Sequence, residues 1–114
     1  MSVKLNTRQV GDVIVIDVTG RITLGEGSSA LRDALRELVK KDQKKILLNL
    51  GDVSYIDSSG IGELVSGFTT VTNAGGQLNL LNLSKRVKDL LQITKLYTVF
   101  DVHDDEAAAV RSFA

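Results

Sequence analysis

The sequence predicts an α/β fold: a mixed sheet of four to five strands, begun by an N-terminal hairpin, with about four helices packed against it. Three observations carry this expectation. β-Branched or continuously apolar runs recur, above all Val13-Ile14-Val15-Ile16-Asp17-Val18 and Ile46-Leu47-Leu48-Asn49-Leu50. Between and after them lie segments whose apolar residues repeat at helical spacing. The two signals alternate along the chain, the pattern that gives helical crossovers between parallel strands.

Taken in order, Lys4 to Gln9 partly alternates apolar and polar residues, and Val10-Gly11-Asp12 supplies a turn into the Val13–Val18 run, so the first two strands form the hairpin. Gly20 to Gly27 is glycine-bearing and reads as an irregular loop. Leu31, Leu35, Leu38 and Val39 then share one stripe with Arg32, Asp33, Arg36 and Glu37 opposite, an amphipathic helix with Ser28 or Ser29 as its cap. Ile46–Leu50 is short and apolar on both faces, as in a central strand. Ile61, Leu64, Val65 and Phe68 define a second helix that stops at Asn73-Ala74-Gly75-Gly76, where the two glycines offer positive φ. Gln77–Leu81 is a strand. Ser84 caps a third helix over Lys85–Ile93, with Val87, Leu90 and Leu91 on its apolar face. Tyr97–Phe100 is expected as the last strand, and Asp104 or Asp105 caps a terminal helix running to Phe113.

Composition excludes several functions. The chain has 114 residues, within the usual size of one domain, and 43% of them are hydrophobic, enough for a core of its own. Domain 1–114 is therefore expected as a single unit. Lys and Arg number 14 and Asp and Glu also 14, so no overall field draws in nucleic acid or an anionic membrane. There is no Cys, and the only histidine is His103, which removes disulfides, thiolate chemistry and the common zinc sites; no metal and no cofactor are expected. No run approaches the roughly 18 apolar residues of a membrane span, and Met1-Ser2-Val3-Lys4-Leu5 lacks a signal-peptide core, which implies a cytoplasmic protein.

The chemistry concentrates in Asp52-Val53-Ser54-Tyr55-Ile56-Asp57-Ser58-Ser59-Gly60-Ile61-Gly62, between the central strand and the second helix. Strand-to-helix turns collect functional groups in alternating α/β sheets. Asp57, Ser58 and Ser59 bring three short oxygen-bearing side chains to a helix start, and Gly60 and Gly62 leave its first turn sterically open. A helix N-terminus favours an anion, but serine there is most often a simple cap. Spacing alone leaves capping and modification both open.

Ile46-Leu47-Leu48-Asn49-Leu50, the signature Tyr55-Ile56-Asp57-Ser58-Ser59-Gly60-Ile61-Gly62, the turn Gly75-Gly76 and the segment from Val87 to Leu96 occur in one order. In this the whole chain resembles a stand-alone STAS domain of the anti-sigma factor antagonist family, and the Asp-Ser-Ser-Gly box is the most specific part of the likeness. The resemblance implies that Ser58 is phosphorylated by a GHKL-type serine kinase that is also the anti-sigma factor. The unphosphorylated chain would bind that partner and free the sigma factor, and a PP2C-type phosphatase would restore it. Partner contacts are then expected from Thr23, Asp57, Ser58, Ser59, Gly60, Ile61 and Gly62, with no catalytic residue in this chain. Thr23 stands where relatives with this cycle often carry an acid.

Other groups have plainer readings. Lys40, Lys41, Lys44 and Lys45 suit a helix C-terminus facing water, with docking as the alternative. His103 is read as a surface or capping residue. A serine hydrolase lacks a base beside Ser58, and Gly25-Glu26-Gly27 lacks the pattern of a phosphate-cradling loop, so it reads as a turn. The competing function is a scaffold or accessory subunit of the same fold, stressosome-like or transporter-associated, without a phosphorylation cycle. A third, a nucleotide-binding enzyme, requires turnover of ATP or GTP by the isolated chain. Oligomeric state is left open.

Overall fold

The computed structural model describes residues 3–113, with the backbone alone at Glu26. Met1 and Ser2 of the N-terminal stretch, and Ala114, lie outside the described residues. Five strands form one sheet in the order β1-β2-β3-β4-β5: β1 Val3–Val10, β2 Val13–Ile22, β3 Lys45–Ile56, β4 Gln77–Leu81 and β5 Val102–His103. β1 and β2 are antiparallel, with Val10 opposite Val13 across the turn at Gly11, where φ is 62°. β2, β3, β4 and β5 are mutually parallel, so the expected mixed sheet with its opening hairpin is present.

The four helices are α1 Glu26–Lys40, α2 Ser58–Asn73, α3 Lys85–Ile93 and α4 Glu106–Arg111. Successive residues of a strand face opposite sides of a sheet, and two cores result. Ile16, Val18, Ile46, Leu48 and Leu50 pack with Leu31 and Leu35 of α1, Leu64 of α2 and Val87 and Leu91 of α3. Val13, Val15 and Leu47 turn the other way and meet Ala109 of α4 and Phe113. Fully burying a side chain such as Leu or Ile stabilises by about 1.5–3 kcal/mol, so the stripes that mark the helices also fix their seating.

Several boundaries differ from the sequence expectation. β2 and β3 pair as far as Ile22 and Ile56, so residues 20–22 and 52–56 are strand rather than loop. α1 starts earlier than its serines suggest, and no side chain among the described residues caps it. Gly25, at φ 98°, turns the chain in a conformation that few other residues adopt, and Glu26 and Gly27 of the expected turn are helical. A Cβ on Gly27 would lie 2.7 Å from the Arg21 carbonyl. Ser28 therefore sits inside the first turn, where its hydroxyl donates to the Thr23 carbonyl at 3.0 Å.

Tyr97–Phe100 is a turn, not a strand. Lys95 has φ 62°, the Val99 amide donates to the Leu96 carbonyl, and Phe100 is drawn into the core edge-on to Phe68, 5.4 Å between centroids. The strand forms two residues later, and His103 lies in it, its Nε2 3.0 Å from Asp101 Oδ2 rather than capping a helix. Of the two glycines after α2, only Gly75 takes positive φ, 84°; Gly76 is demanded by space, since a Cβ there would meet the Lys44 carbonyl at 2.5 Å. Asp105 caps α4, accepting from Ala108 N–H at 2.9 Å, and α4 ends at Arg111, short of Phe113. Ser84 caps α3 as expected.

Candidate functional site at the start of helix α2

Asp57 joins β3 to α2 and is the N-cap: Gly60 N–H donates to its Oδ1 at 2.9 Å. Its Oδ2 accepts Leu24 N–H at 3.2 Å, and its own N–H donates to the Ile22 carbonyl at 3.3 Å. Asp57 thus staples the loop after β2 to the helix start. The Gly60 amide, followed by those of Leu24 and Ser59, holds the Asp57 carboxyl below the usual carboxylate range, against a smaller opposing effect of burial.

With the cap supplied by Asp57, Ser58 is released from that task. It is exposed, and its hydroxyl makes no hydrogen bond among the described residues. Ser59 is half-buried. Gly60 and Ile61 turn inward: Ile61 is 5% exposed and belongs to the larger core. The expectation that both glycines open the first turn holds for Gly62 alone, which is exposed with nothing within 4 Å of a Cβ. At Gly60 a Cβ would collide with the Ile22 carbonyl and lie 2.6 Å from Ile56 Cγ1. Gly60 is therefore a packing requirement, the point where α2 crosses the ends of β2 and β3.

Thr23 is half-buried, and its carbonyl receives both the amide and the hydroxyl of Ser28. It reaches the site through its neighbour Leu24, which Asp57 holds and which is 79% exposed. Of the seven expected contact residues, Ser58 and Gly62 are exposed, Thr23, Asp57 and Ser59 half-buried, and Gly60 and Ile61 buried.

A groove of about 780 Å³ opens beside Ser58, between the end of β3 and α3, lined by Tyr55, Lys85, Arg86, Leu90 and Ile93 among others. Sequence reasoning missed its cations. The parallel register sets Arg21 beside Tyr55, and the Arg21 Cζ lies 4.9 Å from the ring centroid; Arg86 of α3 brings its own Cζ to 4.6 Å from the same ring. Ile93, at the end of α3, is 76% exposed. The one sequence signal for this cluster is Tyr55 in the signature; its partners lie more than thirty residues away in either direction.

The site offers a neutral, accessible alcohol, a carboxylate already engaged by amides, and guanidinium groups that form no ion pair among the described residues. No group of three or more metal-ligating side chains occurs among the described residues. His103, in β5, is outside the groove lining. Of the four lysines around the end of α1, Lys41 pairs with Glu37, Lys44 with Asp42 and Lys45 with Asp12. No helix among the described residues is long and apolar enough to cross a membrane.

Comparison with known proteins gives the same frame. The STAS domain profile matches residues 4–109. The anti-sigma-B factor antagonist of Bacillus subtilis (strain 168) is 33% identical over 102 residues, 90% of this chain and 92% of that protein. An anti-sigma factor antagonist from Mycobacterium paratuberculosis superposes with a TM-score of 0.86 at 18% identity, covering 98% of this chain and 94% of the other. The Bacillus cell fate determinant SpoIIAA in its phosphorylated form gives 0.73 at 21% identity, covering 96% and 99%. With a profile match over nearly the whole sheet-and-helix frame and a relative of this identity along its length, the chain belongs to the STAS domain family.

Proposed function

We propose that this chain is a cytosolic anti-sigma factor antagonist, a single domain over residues 1–114, switched by phosphorylation of Ser58. The unphosphorylated form binds a GHKL-type serine kinase that doubles as the anti-sigma factor, and so liberates the sigma factor. Phosphorylation by that kinase ends the binding, and a PP2C-type phosphatase reverses it. The chain is ligand and substrate, not catalyst.

The observation that carries this reading is the exposed Ser58 hydroxyl, which makes no hydrogen bond among the described residues, with Asp57 capping α2 in its place. Ser59, half-buried, is the poorer substrate of the pair. The name of the Bacillus subtilis relative supports the role, and SpoIIAA, which shares the fold, has a phosphorylated form. Around Ser58 the exposed Leu24 and the open turn at Gly62 offer a partner apolar and unobstructed surface.

A neutral hydroxyl is cheaply desolvated in an interface, whereas a phosphoserine adds about −1.5 to −2 charges. An unpaired buried charge costs several kcal/mol, and each 1.4 kcal/mol is tenfold in affinity. Hundreds-fold weakening follows with no refolding. The test is binding of Ser58→Ala and Ser58→Asp to the cognate kinase by calorimetry, with mass spectrometry of the wild type after incubation with kinase and ATP. Tight binding by the first variant, weak binding by the second and phosphate on Ser58 are expected. Equal affinities, with no phosphate on Ser58, would leave the scaffold reading in its place.

A further inference from the structure

A phosphate on Ser58 would find the usual anion site of a helix start already taken. The Gly60 amide donates to Asp57, and the Ser59 amide also favours that carboxylate. A modified Ser58 thus gains little from α2 and lies next to a carboxylate. Its charge has to be met from elsewhere.

The groove beside it holds the means. Arg21 and Arg86 both lie against the Tyr55 ring, and neither forms an ion pair among the described residues, in contrast to Arg8 and Arg32, which do. A guanidinium stacked on a ring keeps the N–H donors around its edge available, in the planar fork that suits phosphate oxygens. Arg86 lines the same groove as Ser58, and so does Lys85, whose ammonium is held 2.9 Å from Asp89 one turn along α3.

We propose that Arg86, ordered by Tyr55 and assisted by Lys85, is an acceptor in cis for a phosphate monoester on Ser58; this rests on the reading of Ser58 as the modified residue. The phosphoserine lies across the groove onto the Arg86 guanidinium. Phosphorylation then does more than repel a partner: it fills the gap between the end of β3 and α3 and withdraws Arg86 from any carboxylate that a partner brings. The charged groups lining the groove with Ser58 are Asp57 at the β3–α2 junction and Lys85, Arg86 and Asp89 from α3, while Arg21 from β2 lies against the Tyr55 ring outside that lining. The first turn of α2 contributes none.

The experiment uses the full chain with phosphoserine placed at position 58 during translation, so that no kinase is involved, and follows its second ionisation by 31P NMR against pH. A guanidinium in contact stabilises the dianion and lowers the titration midpoint. The wild type is expected to titrate at least about half a pH unit below Arg86→Gln. Lys88→Gln, on α3 but against Tyr97 at 5.9 Å, is expected to match the wild type. Coincident midpoints for wild type and Arg86→Gln overturn the proposal, as does an equal shift from Lys88→Gln, which would mark a general charge effect. All of these side chains are exposed, and circular dichroism confirms that each variant is folded. Kinase assays on unmodified protein separate the two readings. A midpoint difference without kinase phosphorylation removes the switch and keeps the acceptor, and phosphorylation with coincident midpoints does the reverse.

Discussion

The side chain of Asp57 accepts the backbone amide of Leu24, thirty-three residues earlier in the chain, at 3.2 Å, while its other oxygen caps α2 through Gly60. One carboxylate therefore positions both the helix that displays Ser58 and the loop that displays Leu24. The surface proposed for the partner is assembled by this residue.

Asp57→Ala removes cap and staple together and is expected to destabilise the chain by about 1–2 kcal/mol, the upper part of the range of about 0.5–2 kcal/mol for a lost N-cap. Urea unfolding measures it. Amide hydrogen exchange should also quicken at Leu24 and Gly60, and Asp57→Asn, which keeps an acceptor, should lie between the two. A variant as stable as the wild type, with unchanged exchange, would show that the staple contributes nothing.

Gly60→Ala places a methyl group against the Ile22 carbonyl and Ile56 Cγ1. Backbone cannot yield as a flexible side chain does, so a loss of about 2–3 kcal/mol is expected, the upper range for overpacking. Gly62→Ala, with open space around it, should cost nothing and stabilise slightly by restricting the unfolded chain. Thermal unfolding of the pair checks the contrast; equal midpoints would contradict it.

Arg32 Nε meets Glu63 Oε1 at 2.9 Å, the arginine side chain 40% and the glutamate 9% exposed. This pair ties α1 to α2. Arg32→Ala leaves a nearly buried carboxylate without its partner, and a loss of about 1–3 kcal/mol is expected in denaturant unfolding. Arg32→Ala combined with Glu63→Gln should recover part of it. Failure to recover any stability would mean that the arginine acts by packing its stem alone.

Acid should loosen the seating of α4. Arg8 of β1 reaches Asp17 of β2 at 2.7 Å and Glu106 of α4 at 2.6 Å. Its hydrogen bonds hold both carboxyls below their ordinary values, against a smaller effect of burial. With folded values depressed, the unfolded chain binds more protons near pH 4, so the contribution is complete above the unfolded values of about 4 and disappears as pH falls through the folded ones. Arg8→Leu should flatten the decline in stability below about pH 4. An unchanged acid limb would locate that sensitivity elsewhere.

Leu24 tests the proposed partner surface. The residue is 79% exposed, so Leu24→Ser should leave unfolding within about 0.5 kcal/mol of wild type. Affinity for the cognate kinase, measured by calorimetry, is expected to fall at least tenfold if the leucine is a buried anchor of that complex. Undiminished binding would move the interface away from the loop.

Much of this architecture is legible locally because its signals are local. β4 and α3 have the bounds that their sequence suggests: Gln77–Leu81 is a buried run, and Ser84 caps Val87 three residues on. Tyr97–Phe100 misleads because its aromatic and β-branched residues imitate a strand, while Phe68, thirty-two residues before Phe100, draws that ring into the core instead. At the site, the residue types Asp-Ser-Ser-Gly give away a helix start, but not how they divide the work. Capping by Asp57, exposure of Ser58 and close packing of Gly60 depend on where Ile22 and Leu24 lie.

Hydrophobic periodicity and turn chemistry, which act over a few residues, determined the order of elements, the hairpin and the helix faces. The strand lengths, the start of α1 and the pairing of Arg21 and Arg86 with Tyr55 were decided only by the tertiary structure. Register between parallel strands and the seating of α3 depend on side chains far apart in the sequence. No short window contains both halves of such a contact.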